Sequence, residues 1–575
     1  MLKNWKITPS SILAGKMALH SGVSELTAQI LLNRGISDVD SIKSFLDPRL
    51  SSLINPMLLK DMDKAVDLVL AAIDRREGIT VCGDYDADGI TGTAVLLKFF
   101  SSIGVPVSSY IPNRLEEGYG LNSEAVRKIA RNKTRLIITV DCGISNMDEV
   151  KIAHGLGMEV IVTDHHQIPE DFNPICPTIN PLRADSEFPF RQLAGVGVAF
   201  FLAVAIRSAM RERGWFVRDP EPDLRSFLDL VAIGTIADMV PLVDQNRIIV
   251  KAGIKAMKHT KWPGVEAIKQ VSKIDSSGTT SNDLAYKIGP RLNAAGRMGN
   301  PLIGLNMLLA GDDSTAFEMA ETLNRLNSRR QAIEKEIFEQ IDETMISKID
   351  ISKRRTLVFW KNGWHKGVLG IVASRLLEKY HRPALILTVA DGVATGSGRS
   401  IDGFDLYKAL SKQRHLLERY GGHYHAAGLT LKESNIPNFV SGLEEIAREE
   451  LSDKDLMPVI HADADVSLGD ITFDQVNEIK MLGPFGSGNP EPVFYAARIE
   501  VLQSWLIAER HLKMRLRQGG NVLDGMGFNL GERYPLDGKE IDILFAPEIN
   551  SWQGLDRIQL RIVDLELAGK DKTLT

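Results

Sequence analysis

Short apolar runs alternate with amphipathic stretches over the first third of the chain. Ile79–Cys82, Arg135–Val140 and Glu159–Thr163 are β-rich runs too short to be helices. Residues 60–77, Thr93–Phe100 and Glu149–Gly155 carry helical spacing around them. Strands that alternate with helices predict a parallel sheet with helices on both faces. Before this unit, residues 1–55 read as short helices, with Ser24 starting ELTAQILLNRG and Gly35 stopping it. After it, residues 191–310 read as more helical. From there apolar residues fall at Ala316, Met319, Leu323, Leu326, Ile333, Ile337, Ile341 and Met345, with no Pro or Gly before Ile349. This spacing predicts one helix of about 35 residues, roughly 50 Å long. It is either a rigid bridge between domains or a long packed core helix, and the charge on its other faces favours the bridge.

A second α/β segment follows, with strands at 355–360 and 384–389 and a helix over Val368–Tyr380 between them. Glycine-rich pieces stand at ATGSGRS (394–400) and GGHYHAAG (421–428). The region from about 455 to 567 is β-rich, with short alternating segments at Phe494–Val501, His511–Arg517 and Arg557–Ile562. It predicts a small antiparallel barrel or sandwich.

Composition narrows the function classes. The 575 residues exceed a single core, so several domains are expected. Net charge is -6, so a nucleic-acid surface has to be a local basic patch on an acidic body. The cysteines are Cys82, Cys142 and Cys176. Their spacing matches no zinc site and no disulfide framework, and a reducing cytoplasm is expected. The first ten residues hold no apolar signal core. Ala194–Ile206 is apolar but too short to span a bilayer, so no membrane association is expected.

The chemistry concentrates where the predicted strands end. Asp84, Asp86 and Asp88 alternate in GDYDADG after the first strand. Asp141 follows the second, and Asp164-His165-His166 follows the third. In open α/β sheets ligands bind at that edge. Acids this dense raise one another's pKa unless a cation sits among them. Oxygen donors call for hard divalent ions, and an added imidazole moves the choice toward Mn²⁺. Two such ions would serve an in-line phosphoryl displacement. An EF-hand fails for want of a glutamate at position 12, and Gly195-Val196-Gly197 does not complete a dinucleotide fingerprint. In the C-terminal region His511, Lys513, Arg515 and Arg517 alternate with Leu512, Met514 and Leu516. In a strand this puts the basic groups on one face, where they can track phosphates, with Trp505 or Tyr534 near to stack bases.

GDYDADG, VDCG (140–143), TDHH (163–166) and IADMVPL (236–242) resemble the motifs of the DHH phosphoesterase superfamily. RLNAAGR (291–297), GRSIDGFD (398–405), GGHYHAAG and LGPFGSGNPEPVF (482–494) follow in the order found in its branch of bacterial single-strand-specific DNA exonucleases. The resemblance covers nearly the whole chain. It implies an α/β fold with two catalytic domains, DHH and DHHA1, joined by a long helix across a cleft, plus a C-terminal OB-like β-barrel. The expected boundaries are 1–55, 56–310, 311–350, 351–452 and 453–575.

The resemblance further implies a 5′→3′ exonuclease acting on single-stranded DNA in repair and recombination, with two Mn²⁺ or Mg²⁺ ions and release of 5′-mononucleotides. It makes Asp86, Asp88, Asp141, His165 and Asp238 metal ligands. It gives Asp84, Asp164, His166 and His423 catalytic roles, with His166 and His423 on substrate phosphate and Asp164 orienting the histidines. Some relatives carry histidine where this chain has Cys82, so one ion here has a poorer ligand set. Arg291, Arg297, Arg399, Gly421 and Gly422 are implied on the substrate path, and Lys513, Arg515 and Arg517 on the barrel. A monomer is expected, with a RecQ-like helicase and a single-strand-binding protein as partners. Two rival readings stand beside it. One is a phosphoesterase for short oligonucleotides, cyclic dinucleotides or pyrophosphate. The other is a DNA-binding scaffold with a degenerate metal site.

Overall fold

The computed structural model describes residues 3–113, 120–275, 278–552 and 555–569. The chain enters on strand β1 (Asn4–Ile7), then forms helices Ile12–Ser21, Glu25–Asn33 and Val39–Leu46 before the first sheet. That sheet holds β2 (Gly78–Gly83), β3 (Val107–Tyr110), β4 (Thr134–Val140), β5 (Glu159–Thr163) and β6 (Thr178–Ile179). All its strands are parallel, in the order β3-β2-β4-β5-β6. Helices Ala87–Ser102, Ser123–Arg131 and Met147–Gly155 make the crossovers. Strand alternation sorts the two faces. Ile79, Val81, Leu136, Ile138 and Ile161 point into one core with Phe99 and Val196. Cys82, Ile137, Val160 and Val162 point into the other with Val126 and Val150.

Helix Asp313–Gln340 follows, capped by Asp312, whose Oδ1 accepts from the Thr315 amide at 2.9 Å. It is shorter than its sequence periodicity implies. A wide five-residue turn, Ile341–Met345, and a short turn, Ile346–Lys348, replace its last part. It bridges two domains, as its charge favours, and both ends are packed. Ala316, Ala320 and Leu323 complete the first domain's core, while Ile337 and Phe338 enter the core of the next. Charged residues at its middle are themselves engaged: Arg330 meets Glu334 at 2.6 Å, and Arg375 reaches the same acid at 3.3 Å.

The second catalytic sheet contains β7 (Leu357–Asn362), β8 (Ala384–Ala390), β9 (Val393–Arg399), β10 (Leu417–His423) and β11 (Ala426–Lys432). Its order is β10-β11-β9-β8-β7, with only β7 and β8 parallel, around helix Leu369–Tyr380. Both glycine-rich pieces lie in strands. A Cβ on Gly396 would lie 2.2 Å from Leu387 Cδ2, so glycine is there for close packing within a sheet.

β12 (Val459–Ala462) pairs in parallel with β1. The remaining sheet contains β13 (Ala464–Asp465), β14 (Phe494–Ile507), β15 (His511–Gln518), β16 (Asn521–Gly527), β17 (Glu540–Trp552) and β18 (Leu555–Leu567). The pairing of β14 with β17 closes it into a barrel. The N-terminal helices bury Met17, Ile30, Leu31 and Ile42 in the same core as Leu512, Met514 and Leu516. The helices over residues 12–46 therefore form one wall of the C-terminal body, whereas Leu50, Leu53 and Ile54 pack against the first domain's core. Trp5 Nε1 donates to Asp564 Oδ2 of the C-terminal body at 3.0 Å. Among the described residues no helix is long and apolar enough to cross a membrane.

Leu323 is fully buried on the long helix. Leu323→Ala is expected to cost about 3 kcal/mol in the transition that unfolds the first domain, followed by urea titration of helical circular dichroism. A loss below about 0.5 kcal/mol, the range of surface substitutions, would mean that the helix end spans solvent rather than packing.

Candidate metal centre

Sheet register brings the acids together. Gly83 pairs with Val140, Val140 with Thr163, and Thr163 with Ile179. The next residue on each of the first three strands is an aspartate. The amides of Asp84, Asp141 and Asp164 continue the ladder to Val140 O, Thr163 O and Ile179 O at 3.1, 3.0 and 3.0 Å. Their side chains then leave the carboxyl edge side by side. Asp141 turns there with a left-handed φ of 61°, a conformation that aspartate tolerates better than most residues.

Backbone amides orient the rest. Asp86 caps helix Ala87–Ser102, its Oδ1 accepting from the amides of Asp88 and Gly89 at 2.9 and 3.1 Å. Asp88 sits at the N-terminus of helix Gly195–Glu212 and accepts from the amides of Gly195 (2.6 Å) and Val196 (2.8 Å). The positive end of the helix dipole favours a carboxylate there. Asp164 accepts from Ile144 N at 2.9 Å and from His165 N at 2.7 Å, and it pairs with His166 Nδ1 at 2.7 Å. Asp238 closes helix Leu228–Ala237 at its C-terminal end.

Three donor groupings result, each within 4.8 Å: Asp88 with His165 and Asp238, Asp84 with Asp86 and Asp141, and Asp141 with His165 and His166. His165 Nε2 lies 3.1 Å from Asp141 Oδ1, 3.5 Å from Asp238 Oδ2 and 3.7 Å from Asp88 Oδ2. Yet it is buried and makes no hydrogen bond. A nitrogen aimed among three carboxylates suits an ion better than a proton. This donor set of oxygens and imidazole fits Mn²⁺ or Mg²⁺. Cys82 is in none of the groupings, because its side chain points into the opposite core. The grouping of Asp84, Asp86 and Asp141 thus lacks a nitrogen or sulfur donor.

The electrostatics agree. Burial pushes the Asp88 carboxyl up to about 7, with Asp86 adding repulsion. Burial raises Asp141 and Asp238 well above the usual carboxylate range, and the neighbouring aspartates add to it. Burial drives His165 down to about 4, leaving a neutral ring. His166 behaves oppositely. Burial disfavours its charge, but the hydrogen bond and charge of Asp164 prevail and raise its pKa. Asp164 stays low because the same contacts outweigh its burial.

Across the cleft, His423 ends the exposed edge strand β10. Burial lowers its pKa, and the charge of His166 adds to that. Beside it, Gly421 borders open space, whereas a Cβ on Gly422 would meet Ala426 O at 2.3 Å. The arginines are tethered. Arg297 Nη1 donates to Gly367 O at 3.2 Å and joins the two catalytic domains. Arg399 Nη1 donates to Gly398 O at 2.7 Å. Arg291 donates to Asn324 Oδ1 at 3.1 Å and Lys287 O at 2.7 Å, fixing it between helices. On the barrel, Lys513, Arg515 and Arg517 alternate with buried Leu512, Met514 and Leu516. Arg517 pairs with Glu500 at 2.6 Å, Arg515 lies opposite Asp524, and Lys513 lies opposite Trp505, which is 41% exposed.

Sequence reasoning missed several supports. Gly195-Val196 was read only against a dinucleotide fingerprint, yet its amides hold Asp88. Asn293 Oδ1 accepts from the Ala87 amide at 2.7 Å. A GxG opening an apolar helix was the available signal for the first, and RLNAAGR contained the second.

Fold and site together define a two-domain phosphoesterase core of the DHH class carrying an OB barrel. The DHH family N-terminal domain matches residues 78–235, the DHHA1 domain 353–449 and the RecJ OB domain 462–564. The single-stranded-DNA-specific exonuclease RecJ of Bacillus subtilis is 37% identical over 548 residues, covering 94% of this chain and 68% of its own length. The Dickeya dadantii protein of the same name is 36% identical over 564 residues, covering 95% and 97%. The crystal structure of Thermus thermophilus RecJ with Mn²⁺ superposes with a TM-score of 0.84 at 30% identity, covering 99% of this chain and 80% of that one. The chain belongs to the RecJ family.

Protonated carboxyls must release protons to bind an ion. The raised Asp88 pKa stabilises the ion-free fold at low pH, a contribution lost as pH rises through about 7, and the raised Asp141 and Asp238 act in the same direction. Mn²⁺ is therefore expected to raise the melting temperature more at pH 8 than at pH 6, measured by calorimetry. A Cβ on Gly195 would meet Asp141 Cβ at 2.6 Å, so Gly195→Ala should weaken Mn²⁺ binding at least about tenfold. Equal Mn²⁺ affinity in that variant would contradict the geometry.

Proposed function

We propose that this protein is a metal-dependent exonuclease specific for single-stranded DNA, working 5′→3′, releasing 5′-mononucleotides and serving repair and recombination. The observation that carries the reading is the convergence of five carboxylates and two imidazoles at one sheet edge, opposite His423. Kinship with proteins named as single-stranded-DNA-specific exonucleases supports the substrate. Polarity rests on the ordered motif resemblance. Thermus thermophilus RecJ has been crystallised with Mn²⁺ and with Mg²⁺, which supports either ion here.

Asp86, Asp88, Asp141, His165 and Asp238 would hold two divalent ions, with Asp84 adjoining. When bound, the ions supply Lewis acidity toward the phosphoryl oxygens and make water a nucleophile near neutral pH. Asp164 fixes the His166 ring and keeps it protonated, so His166 donates toward a non-bridging phosphate oxygen. His423 donates from the other wall, and the small Gly421 lets the strand come close to the backbone there. Arg297 and Arg399 serve the phosphates behind the scissile bond, since guanidinium forks match phosphate oxygens. Lys513 and Arg515 guide the strand over the barrel, and Trp505 offers a stacking face. The chain works as a monomer in a reducing cytoplasm, consistent with cysteines that form no bridge. A RecQ-like helicase would supply single strands, and a single-strand-binding protein would hold them.

Digestion of 5′- and 3′-labelled strands and duplexes, with and without Mn²⁺, tests the reading. Wild type should shorten single strands from the 5′ end only, and only with the ion. Asp141→Ala should lose at least about 1000-fold in kcat/KM while still binding DNA. His423→Ala should lose roughly 100-fold or more. Arg515→Ala should leave the metal centre intact and reduce the salt dependence of binding by about 0.7 log units per log unit of salt. Inactivity of the wild type with Mn²⁺ or Mg²⁺ would favour a scaffold instead. Cleavage confined to short oligonucleotides or cyclic dinucleotides would favour the related phosphoesterases.

A further inference from the structure

A cavity of about 860 Å³ opens between helix Val39–Leu46, helix Asp244–Ala256 and Gly488. No side chain of the metal centre lines it. Four cations border it, Arg34, Lys43, Arg49 and Arg247, against the two carboxylates of Asp47 and Asp244. Both acids are already engaged. Asp47 pairs with Arg49 at 3.0 Å, and Asp244 Oδ1 accepts from Gln245 Nε2 at 2.7 Å.

The two remaining arginines are unusual. Arg247 is 2% exposed. Its Nε donates to Phe45 O and its Nη2 to Gly483 O, both at 2.9 Å, while the Phe45 ring covers its guanidinium at 3.6 Å. Arg34 Nη2 donates to Pro490 O at 2.6 Å. Nη1 of each has no hydrogen-bond partner. Carbonyl acceptors orient a guanidinium but do not cancel its charge. Among the described residues Asp463 attracts Arg34 but does not line the cavity, and Arg247 feels the repulsion of Arg34. Burial first, and then Arg34, lower the Arg247 pKa to about 9. Lys251 adds another charge close by, its Nζ donating to Leu46 O at 2.6 Å. A buried, uncompensated cation is costly, and an oxyanion supplies both the missing charge and the missing acceptors.

We propose that this cavity binds a phosphate-bearing small molecule of nucleotide size, its oxyanion held by Arg34, Arg247 and Lys43. Guanidinium forks match phosphate geometry. Ile36, Leu46 and Ile248 form an apolar wall that suits a sugar or base, and the volume lies within the range of small-molecule pockets. The proposal stands independently of the metal centre and of the nuclease reading.

Calorimetric titration of the full chain with deoxyadenosine 5′-monophosphate and with inorganic phosphate, in EDTA to disable the metal centre, tests it. One saturable site per chain is expected, with a Kd below about 1 mM for at least one probe. Tighter binding of the nucleotide would support a role for the apolar wall, and equal binding would support the phosphate as the whole ligand. Arg34→Gln and Lys43→Gln should each weaken binding at least about tenfold. Asp238→Asn should leave it unchanged. Lys43 is exposed and forms no salt bridge among the described residues, so Lys43→Gln keeps the test decisive if Arg34→Gln fails to fold. Absence of saturable binding up to about 5 mM, undiminished affinity in Lys43→Gln, or loss of binding in Asp238→Asn would overturn the proposal.

Discussion

Buried like charge at the carboxyl edge of a parallel sheet is the constraint around which this molecule is arranged. Carboxylate oxygens within 4.8 Å of one another repel by roughly 3 kcal/mol per pair at an effective dielectric of 20. Burial adds to that cost. The fold tolerates the cluster because Asp86, Asp88 and Asp164 are anchored by amides before any ion arrives. Asp86 holds the start of one helix, Asp88 receives the start of another, and Asp164 accepts from a loop amide and from a histidine. These bonds stabilise part of the negative charge and leave the remaining lone pairs converging. Divalent cations complete the balance.

The surrounding architecture follows from that centre. The metal domain is rigid at its open edge, since four parallel strands are in register beneath it. The second catalytic domain brings an edge strand with His423 to face it. The two are held at a set separation by one helix buried at both ends and by Arg297 reaching Gly367. The barrel is not a loose appendage. Its connection through residues 482–490 packs on Pro241 and Leu242, just beyond Asp238, and Leu242 N donates to Ser487 O at 2.7 Å. The same loop carries Gly483 and Pro490, whose carbonyls receive Arg247 and Arg34. The cation-lined cavity therefore lies at the joint between the metal domain, the N-terminal helices and the barrel.

Legibility varied with the kind of signal. Apolar runs ending in aspartates marked β2, β4 and β5 because a buried parallel strand needs a continuous hydrophobic segment. β9 and the hairpin of β10 and β11 were invisible as strands. Their glycines have low strand propensity, and the reason for them is close contact with Leu387 and Ala427, which stand directly opposite on the paired strands. The long helix was legible from its period, but not its wide final turn, because a widened turn keeps the apolar spacing nearly intact. Asp238 emerged only through family resemblance. Nothing local distinguishes it from any acid at the end of a helix.

Composition and spacing by themselves determined the domain sequence, the metal-binding chemistry and the alternating basic face on β15, because each depends on residues close together in the chain. The tertiary structure alone decided which acids share a donor grouping and that Cys82 points away from them. It also decided that the helices over residues 12–46 belong with the barrel, and that Arg34 and Arg247 meet beside one cavity. These facts depend on strand register and on contacts between segments hundreds of residues apart. No local pattern of hydrophobicity or charge encodes such meetings; packing of the whole chain does.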